Sequence, residues 1–269
     1  MKTLKNYSLV YDENCPLCRA YSQTFVNAGI LEKKGRKSYQ TMSGETCTLL
    51  DLKRAKNEIA LINNSTGEVT YGIDSIITMV VRGLPFLKPT LTFAPIYSLL
   101  KRAYAFISYN RKIIMPTTEG SDTCIPDFNL KYRLSFLVFS WLITSLVLTN
   151  YSLHLTTLPP TNMLREFLIC GGQIVFQMLM LWFIPFEKRM NYLGNMMTVS
   201  LAGSILLLIG IGLGNLFSFG TEFYLIFFIV TVLMMFFEHI RRCKLLHLNS
   251  IPTLTWTIYR MIILLILLK

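Results

Sequence analysis

The chain has 269 residues, 52% of them hydrophobic, and a formal net charge of +11. With a mean hydropathy of +0.47 it is too apolar for an ordinary soluble protein, and its length suits one soluble domain followed by a small membrane bundle. The basic residues sit beside apolar segments, where Lys and Arg set topology and meet anionic headgroups; this placement makes membrane lipid a partner and argues against nucleic acid.

Residues 1–134 hold 29 of the 41 charged side chains, which sets a boundary near Arg133. The first residues, Met1 to Tyr7, contain neither a long apolar core nor a small-residue cleavage site, so no secretory signal is expected and the first domain is expected in the cytoplasm. That compartment is reducing, and the six cysteines need not form structural disulfides there.

Ser8-Leu9-Val10-Tyr11 reads as a short buried strand. Asp12-Glu13-Asn14 breaks the pattern, and Cys15-Pro16-Leu17-Cys18 opens a helix through Val26, with Pro16 in the first turn and Gly29 as the stop. Cysteines at i and i+3 lie on one side of a first turn, close enough to bridge. Cys15, at the helix N-terminus, is where unpaired N–H groups and the dipole favour a thiolate, and Cys18 is placed to resolve a mixed disulfide. The residues leave alternatives open: the pair could be half of a zinc site or an inert buried pair. The zinc reading needs two further ligands, and Cys47, Cys124, Cys170 and Cys243 are scattered singly, with no His before His154. Asp12 has two readings as well, a proton carrier in dithiol exchange or a structural group that caps the helix or pins the loop.

Segments 58–63 and 68–71 flank Asn64-Ser65-Thr66-Gly67 and read as a β-hairpin. A helix over 76–81 is expected to be capped by Asp74 or Ser75. Segment 97–112 interleaves aromatic and basic residues and reads as a closing helix that touches the membrane interface. Within it, Tyr109-Asn110-Arg111-Lys112 is expected to form a basic membrane-facing collar or to reach back to the dithiol. Residues 115–129 read as a linker in which Cys124 stands alone.

Five apolar segments follow, at about 135–151, 167–185, 193–213, 222–240 and 252–268, each near the length that crosses a bilayer. The fifth is short and holds Arg260 near its middle, where a charge is costly unless paired; Glu222 and Glu238 are the expected partners, and an anionic headgroup or substrate is the functional alternative. Glu238-His239 is expected to anchor at the interface, with metal binding or proton relay as the alternative. Ala202-Gly203-Ser204 and Gly171-Gly172 offer close helix packing. Basic residues at 131–133, 187–192 and 238–250 place those segments on the cytoplasmic side of an inner or plasma membrane.

Tyr11-Asp12-Glu13-Asn14-Cys15-Pro16-Leu17-Cys18 resembles the signature of the DCC-type thiol–disulfide oxidoreductases, and Gly72-Ile73-Asp74-Ser75 and Tyr104-Ala105-Phe106-Ile107-Ser108-Tyr109-Asn110-Arg111 are similar to later stretches of that family. The resemblance covers roughly residues 7–115. It implies an α/β thioredoxin-like N-terminal domain (1–115), joined by a linker (116–134) to an α-helical transmembrane bundle of four to five helices (135–269). It also implies an oxidoreductase in which Cys15 attacks, Cys18 resolves and Asp12 assists, with a thiol or disulfide protein as partner and no cofactor. Two departures stand out: Glu13 replaces the family's Gly, and no proline precedes segment 58–63 to dock a peptide. The alternative function is a non-catalytic interaction or lipid-handling membrane protein with a redox-sensing domain.

Overall fold

The computed structural model describes residues 3–40, 50–116, 127–155, 159 and 162–268. Residues 117–126 of the expected linker at 116–134, and the solitary Cys47 and Cys124, lie outside these residues. The chain divides into two compact units, Met1–Tyr132 and Arg133–Lys269.

The first unit is built on a four-stranded mixed sheet of order β2-β1-β3-β4. Strand β1 (Tyr7–Tyr11) is followed by α1 (Pro16–Asn27) and β2 (Arg36–Ser38), which pairs parallel to β1. After α2 (Leu52–Asn57), β3 (Ala60–Asn63) runs antiparallel to β1 and β4 (Val69–Tyr71) antiparallel to β3. Successive strand residues point to opposite faces, and the two cores follow that alternation. Leu9 and Leu61 pack with Leu31, Ile59 and Met79 on one face. Val10, Ala60 and Ile62 pack with Leu50 on the other.

Helix α3 (Ile73–Gly83) starts three residues earlier than expected, and neither Asp74 nor Ser75 caps it. Both are committed to tertiary bonds: Ser75 Oγ donates to Thr70 O at 2.8 Å, and Asp74 Oδ1 accepts from Tyr97 Oη at 2.8 Å. The turn into α3 is made instead by Gly72, whose φ is +61°. A short helix α4 (Lys88–Thr92) leads to α5 (Ala94–Ile114). Along α5, Asn110 and Arg111 of the expected collar at 109–112 are buried, so these two do not face outward.

The second unit is helical. Among the described residues three helices are long and apolar enough to cross a membrane: α6 (Leu130–Ser152), α8 (Phe186–Phe217) and α9 (Thr221–Leu245). Two other expected spans are helical but shorter, α7 (Met163–Met180) with 18 residues and α10 (Ile251–Leu267) with 17. At 1.5 Å per residue these two reach about 25–27 Å, under the roughly 30 Å of a hydrocarbon core.

Helix α6 begins at Leu130, inside the expected linker, and α8 begins at Phe186, so the expected 187–192 loop is helical. Likewise α9 continues to Leu245 through the first part of the expected 238–250 loop. The cause is common to all three: apolar runs mark the depth of a membrane, whereas the helix continues through polar residues of good helix propensity such as Lys, Glu and Arg.

Helices α8 and α9 are joined by a turn at 218–220 and pack along small residues. A Cβ added at Gly210 would stand 2.8 Å from the Phe227 ring, and Gly203 and Gly214 lie against Met235 and Tyr224, so the expected close packing at Gly203 is one contact in a longer small-residue seam. Val147, Tyr151, Leu207 and Tyr224 form a core shared by α6, α8 and α9, and Tyr151 Oη donates to Tyr224 O at 2.7 Å.

Candidate redox site

The end of β1 delivers the chain into a tight loop held by two local hydrogen bonds and two to the distant Gln40. Asp12 Oδ1 accepts from Asn14 N at 3.1 Å and from Gln40 Nε2 at 2.7 Å. Gln40 Oε1 accepts in turn from Glu13 N at 3.1 Å. Cys15 N donates to Asp12 O at 3.2 Å. Of the two structural readings of Asp12, helix cap and loop pin, the geometry gives the second.

The N-cap of α1 is Cys15 itself. Its backbone is extended, Pro16 follows in the first turn, and its Sγ accepts from Cys18 N at 3.4 Å. A sulfur in this position takes the place of the side-chain oxygen that usually satisfies an N-terminal N–H, and negative charge there is favoured by the helix dipole. Both cysteines are free thiols.

Their environments drive them apart. Donation from the Cys18 side chain, then the Cys18 backbone N–H and the Arg111 charge, hold the Cys15 thiol down at about 6, against opposition from burial and from Asp12. Cys18 is pushed up, because in donating to Cys15 it must keep its proton and because it is buried. The surroundings thus favour the thiolate at Cys15 and the protonated thiol at Cys18.

Arg111 is the residue that sequence reading placed only as an alternative. It comes from the last turn of α5 and is 5% exposed. Its Nη2 donates to Lys56 O at 2.9 Å and lies 3.7 Å from Asp12 Oδ2, with both side chains nearly enclosed. Ser108, one turn earlier on α5, donates to Asn57 O. These bonds fasten α5 to the end of α2 and aim the guanidinium at the dithiol. No local signal in the sequence marks Gln40; it reaches the site through β2, which the parallel pairing sets beside β1.

Between these groups is a cavity of about 10 Å³, lined by Asp12, Cys18, Glu58 and Arg111 among others, the room of one water molecule. Tyr104 closes the neighbouring core: its Oη accepts from Ile59 N at 3.0 Å, and burial pushes its hydroxyl up to about 12. Among the described residues no three His, Cys, Asp or Glu side chains converge into a metal-binding group.

The expected membrane-site residue, Arg260, lies on α10, in the other unit. Its guanidinium carbon stands 4.0 Å above the Trp256 ring. Neither expected partner pairs with it: Glu238 is held by Arg241 and Arg242, each at 2.7 Å, and among the described residues Glu222 makes no ion pair. His239, expected at an interface, is 1% exposed. It stacks on Trp256 at 4.9 Å and lies 3.1 Å from Tyr192 Oη and 3.2 Å from Thr253 Oγ1. Its pairing with Tyr192 and Trp256 draws it off the polar face that Glu238 occupies.

No family model, curated protein or solved structure matches the chain.

Proposed function

We propose that the protein is a membrane-tethered thiol–disulfide oxidoreductase of DCC type, with a thioredoxin-like N-terminal domain that works on the cytoplasmic side. The observation that carries this reading is the split between the two sulfurs. Cys15 sits at a helix N-cap with its thiol held at about 6, while Cys18, one turn on, is held as a thiol. A low-pKa attacking thiol beside a protonated resolving thiol is what disulfide exchange requires. The order β–α–β–α–β–β–α of the first unit and its mixed sheet favour the thioredoxin-like reading.

Reduction of a partner disulfide then runs in two steps. The Cys15 thiolate attacks one partner sulfur, forming a mixed disulfide and releasing the other partner sulfur as a thiolate. Cys18 loses its proton and attacks Cys15 Sγ, closing the Cys15–Cys18 disulfide and releasing the second partner thiolate. The partner gains two electrons and the dithiol loses two. Asp12 and Glu58 share the small cavity with Cys18, and Asp12 is the acceptor through which that proton leaves. Cys15 is only 4% exposed, so the substrate disulfide must present a slender approach.

The cytoplasmic placement draws support from the bundle. Lys188 at the start of α8 and Arg241, Arg242 and Lys244 at the end of α9 lie at one end of a helical hairpin, where Lys188 Nζ donates to His247 O at 3.4 Å. The opposite end, at 217–221, carries no Lys or Arg.

The test is a Cys18→Ser variant of the full chain, recovered under conditions that block free thiols. Partners are expected to accumulate as mixed disulfides on Cys15 and to vanish in the Cys15→Ser, Cys18→Ser double variant. Absence of any adduct, together with a Cys15 thiol titrating near its usual value, overturns the reading.

A further inference from the structure

The helical unit encloses a cavity of about 290 Å³, lined by residues of all five of its helices. Its walls are mostly apolar, but its polar groups are unbalanced. Arg260 makes no ion pair among the described residues, and its Nε has no hydrogen-bond partner. Gln173 and Thr144, 6% and 4% exposed, also face the cavity with Nε2 and Oγ1 unpartnered. The sole carboxylate among the described lining residues, Glu166, is already held by Arg165 at 2.7 Å. The cavity therefore presents the Nε of a guanidinium without an ion pair and the Nε2 of an amide, neither with a hydrogen-bond partner. A guanidinium at membrane depth is costly without a counter-charge, and the Trp256 face offsets only part of that cost.

We propose that this cavity binds a single-chain anionic lipid of the fatty-acid class, with its carboxylate on Arg260 and Gln173 and its chain along the apolar walls. A guanidinium presents two parallel N–H groups that match a carboxylate. The volume, at the lower end of small-molecule pockets, admits one acyl chain and excludes a two-chain phospholipid. Met261 and Leu264, at 52% and 41% exposure, carry the lining out to the apolar surface of the unit, so the ligand enters from the bilayer. A small water-soluble anion would leave the apolar walls unfilled.

The test uses the full-length protein in nanodiscs of zwitterionic phosphatidylcholine, with a diazirine-bearing fatty acid as the photoaffinity probe and mass spectrometry to map adducts. Adducts are expected on the peptides that contain Met197 or Met261. Oleate is expected to compete at least tenfold better than methyl oleate, and inorganic phosphate not at all. Arg260→Gln is expected to lower labelling at least tenfold, and Gln173→Leu roughly two- to tenfold, the range for one hydrogen bond. The acid-against-ester comparison needs only the wild-type chain, so a variant that fails to fold leaves the test intact. Equal competition by methyl oleate, full displacement by phosphate, or adducts confined to other peptides each overturns the proposal. Cys15→Ser is expected to leave labelling unchanged, which separates this site from the dithiol reading.

Discussion

At the scale of single residues, two chemically identical thiols acquire opposite characters over one helical turn. The cause is directional: Cys15 receives hydrogen bonds from Cys18, and Cys18 gives them. Arg111 and Asp12 act on this pair with opposite signs, the guanidinium favouring the Cys15 thiolate and the carboxylate opposing it. Alkylation of Cys15 by iodoacetamide, followed against pH, is thus expected to rise through an inflection near 6. Arg111→Met should move the inflection to higher pH, Arg111→Lys should largely retain it, and Asp12→Asn should move it to lower pH. An inflection indifferent to residue 111 would remove the electrostatic role argued for Arg111. The spacing of Cys15 and Cys18 and the turn around them were legible in the sequence because they are local. The Arg111 contact was legible only as one of two alternatives, because it depends on where α5 ends relative to α2 and β1.

At the scale of elements, the turn between β4 and α3 shows how backbone and side chains divide the work. Gly72 holds φ at +61° and ψ at −130°, a region closed to other residues without strain. A Cβ there would also meet Glu58 Oε2 at 2.8 Å. Gly72→Ala is expected to destabilise the first unit by about 1–3 kcal/mol, read as a lowered thermal midpoint of the full chain in detergent. An unchanged midpoint would contradict the strained turn. The hairpin of 58–63 and 68–71 followed from two strand-like segments flanking a Gly-containing turn. The start of α3 did not, since Asp74 and Ser75 look like caps in isolation and are diverted by Tyr97 and Thr70.

At the scale of the whole molecule, α8 is the element that apolar pattern describes least well. Its 32 residues span about 48 Å, so its ends extend beyond a hydrocarbon core of roughly 30 Å. In a cysteine-substituted series, Lys188→Cys and Ser218→Cys are expected to react with an impermeant maleimide in permeabilised membranes. Ile205→Cys and Leu208→Cys, exposed on the apolar surface at 52% and 49%, are expected to stay unlabelled. Rapid labelling at 205 or 208 would argue that this face is wetted rather than lipid-covered. The sequence by itself determined the boundary near Arg133, the apolar character of the second half and the dithiol at a helix start, because charge density, hydropathy and i to i+3 spacing are properties of contiguous residues. The tertiary structure alone decided that Arg111 faces the dithiol, that Glu238 is spent on Arg241 and Arg242, and that Arg260 is left facing a cavity whose one described carboxylate, Glu166, is held by Arg165. Each of these is a pairing between side chains on different elements or a competition among near neighbours, and only the packing of helices and strands settles which partner a charge meets.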